Sequence, residues 1–232
     1  ILNFVDVTGN VAVDWGGGIV LFNSNSILSN VNITNNATGL NGGGMGLINS
    51  NPSLTNVVVS NNISDFNGGG IGLENSNPIL TNVTIFGNST AQGGGMFLYE
   101  SNPILVNSII YGNTPESMIV ESGEPIIVFS NIEGGWSDDG NMDQNPMFAD
   151  SDNGDFTLLQ DSPCIDAGTA YLDIEGEVIL DLDGTEYFGD APDMGANEYN
   201  PLSISNLISD MPIEYVIYPA YPNPFNPLTK IS

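Results

Sequence analysis

Apolar residues come in short alternating bursts along the first 133 residues, and the bursts recur. In GGGIGLENSNPILTNVTIFGN (68–88), Ile71 and Leu73 form one burst, Leu80 stands alone after a proline, and Val83 and Ile85 form another. A period of two is the mark of a strand whose alternate side chains face a core. No 3.6-residue period is visible, and the stretches between bursts are Gly, Asn, Ser and Pro, which favour turns. Nearly the same text appears at 16–36, 42–62 and 93–113, and the glycine triplets start at residues 16, 42, 68 and 93. Self-similarity at a fixed period of this size predicts a stacked repeat. Each repeat reads as one lap of about three short strands and three bends. Equivalent strands then lie side by side, parallel, at ~4.8 Å.

Stacking the repeats aligns the apolar residues into columns: Ile19, Met45, Ile71, Met96; Leu21, Leu47, Leu73, Leu98; and Leu28, Leu54, Leu80, Leu105. Val31, Val57 and Val83 make another, as do Ile33, Val59, Ile85 and Ile110. The glycine triplets hold register with these columns. They suit corners where the chain takes positive φ and neighbouring backbones approach closely. Two asparagine columns share the register: Asn30, Asn56, Asn82, Asn107, and Asn36, Asn62, Asn88, Asn113. Buried amides at bends can bond to the next lap and satisfy backbone groups that lack a ladder partner. In the first column the end slots hold Phe4 and Phe129, which reads as an internal amide stack plugged by a ring at each end.

The expectation is an all-β protein with about six coils of 25–26 residues over 2–133. The repeat resembles the right-handed parallel β-helix of pectate-lyase-like proteins and bacterial surface proteins. A leucine-rich-repeat solenoid is the alternative, because Leu80-x-x-Val83-x-Ile85-x-x-Asn88 matches that spacing. The rest of the lap argues against it, since it is glycine-rich with its own alternating strand where that repeat places a helical turn.

Charge divides the chain. There are 28 acidic residues, one basic residue (Lys230) and no histidine. Nine acidic residues lie in 1–133 and nineteen in 134–232, which sets a boundary near Gly134 between the repeats and an acidic segment, 134–199. Residues 200–217 read as a linker. Nucleic acid is a poor partner, since neutralising phosphates needs Lys or Arg. No apolar run approaches the ~20 residues of a membrane span. The one cysteine, Cys164, forms no internal disulfide. Serine or cysteine nucleophile chemistry lacks a histidine base. Lyases and polygalacturonases of similar fold rely on basic residues that are missing here, so no catalytic residue is assigned. The adjacent Asp138 and Asp139 lie in a Gly-rich stretch outside the coils. The function expected is non-catalytic binding or support, with a glycan or another surface protein as partner. The alternative is a polysaccharide lyase or glycoside hydrolase whose catalytic coils lie elsewhere or whose carboxylates go unrecognised.

The acidic segment, with "DSPCIDAG" and "PDMGANEY", resembles the choice-of-anchor Q segment that follows the coils of bacterial β-helix proteins. The tail "YPAYPNPFNP" in 218–232 resembles the start of a type IX secretion sorting domain. These resemblances imply export to the cell exterior or outer-membrane surface, with the type IX machinery as partner. Trp136, Met147, Phe148, Phe156 and Leu158 are expected to cover the open end of the coil stack. In "DSDNGDFTLLQD", Asp150, Asp152, Asp155 and Asp161 are a candidate Ca²⁺ site, although the spacing departs from an EF-hand loop. Phe86, Tyr99 and Tyr111 are candidate ligand-stacking rings on the outer surface, with mutual stacking as the competing role.

Overall fold

The computed structural model describes residues 1–201; most of the expected linker and the whole 218–232 tail lie outside the described residues. Residues Ile1–Tyr199 form one compact unit. The coils build a parallel solenoid with three sheets. The largest sheet runs Leu2–Thr8, Ile27–Thr34, Ser53–Ser60, Ile79–Phe86, then Ile104–Val106 with Ile109–Tyr111, then Ile126–Val128 with Asn131–Ile132. A five-stranded sheet stacks Ile19–Phe22, Met45–Ile48, Ile71–Glu74, Met96–Tyr99 and Met118–Val120. The third sheet has three two-residue strands. The larger sheet has one rung more than the five-stranded one, so the solenoid makes about five complete turns. Among the described residues there is no α-helix, only a 3₁₀ turn at Ser151–Asn153, so the helix-closed lap of a leucine-rich repeat is not formed. No helix of the described residues is long and apolar enough to cross a membrane.

Register explains the core. Leu28 faces Leu54, Val31 faces Val57 and Ile33 faces Val59, and the next rung repeats the match. The predicted columns are the buried interior, with Leu47, Leu54, Val57, Leu73, Val83, Met96 and Leu105 fully buried. Each such side chain is worth about 1.5–3 kcal/mol relative to exposure. The glycine triplets divide their labour. Gly68 takes φ +61°, while a Cβ on Gly69 would sit 2.6 Å from the carbonyl oxygens of Gly94 and Ser89. The first glycine turns the corner and the second lets two laps touch.

The two asparagine columns part company. Asn36, Asn62, Asn88 and Asn113 are buried. Each amide oxygen accepts the preceding lap's backbone N–H and Nδ2: Asn36 N to Asn62 Oδ1 is 2.9 Å, and Asn62 N to Asn88 Oδ1 is 2.9 Å. Each Nδ2 also donates to a strand carbonyl, as Asn62 does to Ile33 at 2.8 Å. Asn30, Asn56, Asn82 and Asn107 correct the expectation of an internal stack. All four adopt left-handed φ, 51–54°, as do Phe4 at 53° and Phe129 at 48° at the ends. That bend turns the side chain away from the coil interior: Asn56 is exposed and Phe4 is 79 % exposed, while Asn107 is buried beneath Thr169 of the docked segment. Asparagine recurs there because its short polar side chain tolerates positive φ. The sequence reading missed two further ladders in the repeated "NSN": Ser50, Ser76 and Ser101 hydroxyls accept N–H groups from the preceding lap, and Asn25, Asn51 and Asn77 side chains accept them from the following one.

The acidic segment closes the stack and then folds back along its flank. Trp136 packs against the coil core, and residues 139–142 pair with the last strand through Phe129 N to Asp139 O and Ile132 N to Met142 O. Phe148, Phe156 and Leu158 do not cover the end. They lie on the outer face of the larger sheet, where Phe86, Phe148 and Phe156 form a ring cluster with centroids 5.2–5.6 Å apart. Outward-facing Ile109 joins Leu158, Cys164 and Met194 in a second apolar core there, with Met147 beside Phe86 and Phe148. The cause is the outer face itself, which carries large apolar side chains on the later coils and so offers the segment a surface to bury.

Candidate functional site

The flank docking uses the outward asparagines. Asn107 donates to Thr169 O and accepts from Thr169 N, both at 2.8 Å, and Asn82 donates to Asp193 O. Three carboxylates brace the docked loop. Asp193 accepts N–H bonds from Asp166 and Tyr199, Glu198 from Phe188 and Asp193, and Asp166 from Asp190 and Ala191. Burial pushes Asp193 up to about 6 and Glu198 up to about 7, with the backbone bonds pulling the other way. These groups are occupied in holding the loop. Cys164 is buried and its thiol is pushed up to about 11, which makes it an inert packing residue.

The candidate Ca²⁺ ligands are not brought together as a metal site. Asp150 and Asp155 face each other across a hairpin, but Asp150 accepts from Asn153 and Asp155 from Thr157 N. Among the described residues no group of three or more His, Cys, Asp or Glu side chains is arranged to hold a metal ion. Short side chains next to their own turn amides are satisfied locally instead.

The three candidate rings separate. Phe86 packs in the ring cluster with Phe148 and Phe156, and Tyr111 is half-buried beside it; burial, then Glu133 and Asp143, push the Tyr111 hydroxyl up. Tyr99 stands on the other sheet and is 43 % exposed.

Around Tyr99 the outer face of the five-stranded sheet forms a trough. Its middle row, in register, is Val20, Gly46, Gly72, Phe97 and Ile119. The two glycines are buried beneath the preceding lap's corner, where a Cβ would lie 3.0 Å from the backbone nitrogen of Gly16 or Gly42. Trp15 leans over one end, since a Cβ on Gly46 would lie 3.2 Å from its ring, and the Phe97 ring stands at the other end. Gly46 and Phe97 are two rungs apart, ~10 Å. One wall is the amide column Asn41, Asn67 and Gln92, bridged lap to lap. The other is Glu74, Tyr99 and Glu121. These residues enclose a cavity of about 380 Å³. The Asn41 side-chain oxygen is buried there without a hydrogen-bond partner. The arrangement offers aromatic faces, amides and carboxylates to one ligand, with no cationic group.

The sequence profile of the family described as "Right handed beta helix region" matches residues 3–138, more than half of the chain. The chain belongs to the right-handed β-helix family. The trough and the asparagine ladder lie within the matched β-helix residues. Among solved structures the β-helix is similar to one titled "Crystal structure of pectate lyase Pel9A", at 15 % identity and a TM-score of 0.43, covering 84 % of this chain and 72 % of that one. No curated protein matches the chain.

Proposed function

We propose that this β-helix is an exported, non-catalytic glycan-binding protein and that the trough beside Tyr99 is its binding site. The observation that carries the reading is one cavity lined together by the rings of Trp15, Phe97 and Tyr99, three side-chain amides and two carboxylates. Sugar rings present flat C–H faces that pack on aromatic rings, while their hydroxyls need amide and carboxylate partners. The trough supplies both. A neutral or cationic glycan fits, because the described residues hold no lysine, arginine or histidine to meet an anion. Export rests on the resemblance of the 218–232 tail to a sorting domain.

A glycan array followed by calorimetry tests the reading. A neutral oligosaccharide should bind, and Trp15→Ala or Tyr99→Ala should weaken it ~10-fold or more, the loss of one good stacking contact and its burial. Absence of any glycan binding would overturn the site. New reducing ends or unsaturated products that disappear in Glu74→Gln or Glu121→Gln would replace binding by catalysis.

A further inference from the structure

A second groove lies over the early rungs of the larger sheet. It encloses about 560 Å³ between the outward rows of the first coils and the hairpin at 150–158. Asp6 and Asp152 both line it, one on the first strand and one on the 3₁₀ turn. Asp6 accepts from Asn32 Nδ2 at 2.8 Å through one oxygen. Asp152 is exposed and makes no hydrogen bond or ion pair. Ser60 also lines the groove, is 1 % exposed, and its hydroxyl has no hydrogen-bond partner. A buried hydroxyl left unpaired costs free energy that a bound partner recovers. Thr8, Thr34 and Asn61 add further hydrogen-bonding groups to the same wall.

Two carboxylates lining one groove, one of them unpartnered, attract a cation. The remaining lining is mostly hydroxyl and amide, with Val58 and the Phe156 ring beside them, which suits a sugar's hydroxyls and C–H faces rather than a bare ion. We propose that this groove is a second ligand site, separate from the trough, that takes an amino sugar. Its protonated amine would sit between Asp6 and Asp152, and its hydroxyls would meet Ser60 and the threonine row.

Calorimetry on the full chain with a glucosamine tetramer at low salt tests this. Binding is expected, with little or none for the fully N-acetylated tetramer, which has lost the charge. Asp152→Asn should weaken it by ~10-fold or more, the usual loss for one charge-assisted contact. That variant removes an exposed, unpartnered carboxylate and leaves the fold intact. Glu177→Gln, an exposed charge on another hairpin, should not change the affinity. Absence of heat would overturn the proposal, as would equal binding of the acetylated tetramer. An affinity indifferent to both Asp152→Asn and Ser60→Ala would do the same. A lysine peptide that binds as tightly would overturn the sugar assignment, and Ca²⁺ binding sensitive to Asp152→Asn would replace it by a metal site.

Discussion

Asn56 and Asn62 sit on one lap, six residues apart, and do different work. Asn62 is fully buried and serves four partners: Asn36 N, Asn36 Nδ2, Ile33 O and Asn88 Oδ1. Asn56 is exposed, and its main service is a φ of 54°. Asn62→Leu should therefore cost about 3 kcal/mol or more, because it strands several buried polar groups at once. Asn56→Leu should cost about 1 kcal/mol, the strain of a bulkier residue in the left-handed region, and Asn56→Gly should be near neutral. Denaturant melts of the three variants check this; equal losses for the two leucine variants would mean that both columns are buried. Sequence could not separate the columns, because asparagine is favoured both at left-handed bends and in amide ladders and recurs at the same period in each. Burial of the neighbours was legible and the direction of these side chains was not.

At the scale of the element, a coil corner is decided by backbone approach. Gly69 has ordinary φ, yet a Cβ there would lie 2.6–2.7 Å from backbone atoms of Gly94 and Ser89. Backbone cannot swing aside as a side-chain end can, so Gly69→Ala should destabilise by about 3 kcal/mol, at the upper end for overpacking. Adding the same methyl at Gly154, where a Cβ meets nothing within 4 Å, should cost only the strain of its φ of +84°, about 1 kcal/mol. Thermal unfolding of the pair distinguishes crowding from conformational strain. The strands and corners were legible because every lap repeats them in phase. The trough was not, although its signals are present: the residue before each glycine triplet reads Trp15, Asn41, Asn67, Gln92, and the second outward slot reads Val20, Gly46, Gly72, Phe97. A period-two reading looks for what points inward, and these rows point outward.

For the whole molecule, the non-repeating segment was the least legible part, since nothing in its own text says which face of the coils it will cover. Its docking carries a pH signature. Asp193 and Glu198 have folded values raised to about 6 and about 7, chiefly by burial, from 3.8 and 4.5. Between those limits the folded state holds more protons than the unfolded one, so stability falls as pH rises. Their contribution is fully present below about pH 4 and is lost on going up through pH 7. Denaturant midpoints measured from pH 4 to 8 should show this slope, and Glu198→Gln should flatten its upper part; an unchanged slope in that variant would assign the effect to other carboxylates. The in-phase pairing of laps has one more consequence. Each rung meets a near copy of itself above and below, so copying or losing a whole lap by unequal recombination creates no new junction. Length can then drift in descendants of such a gene while local chemistry stays constant, and selection acts on how far the outer rows extend.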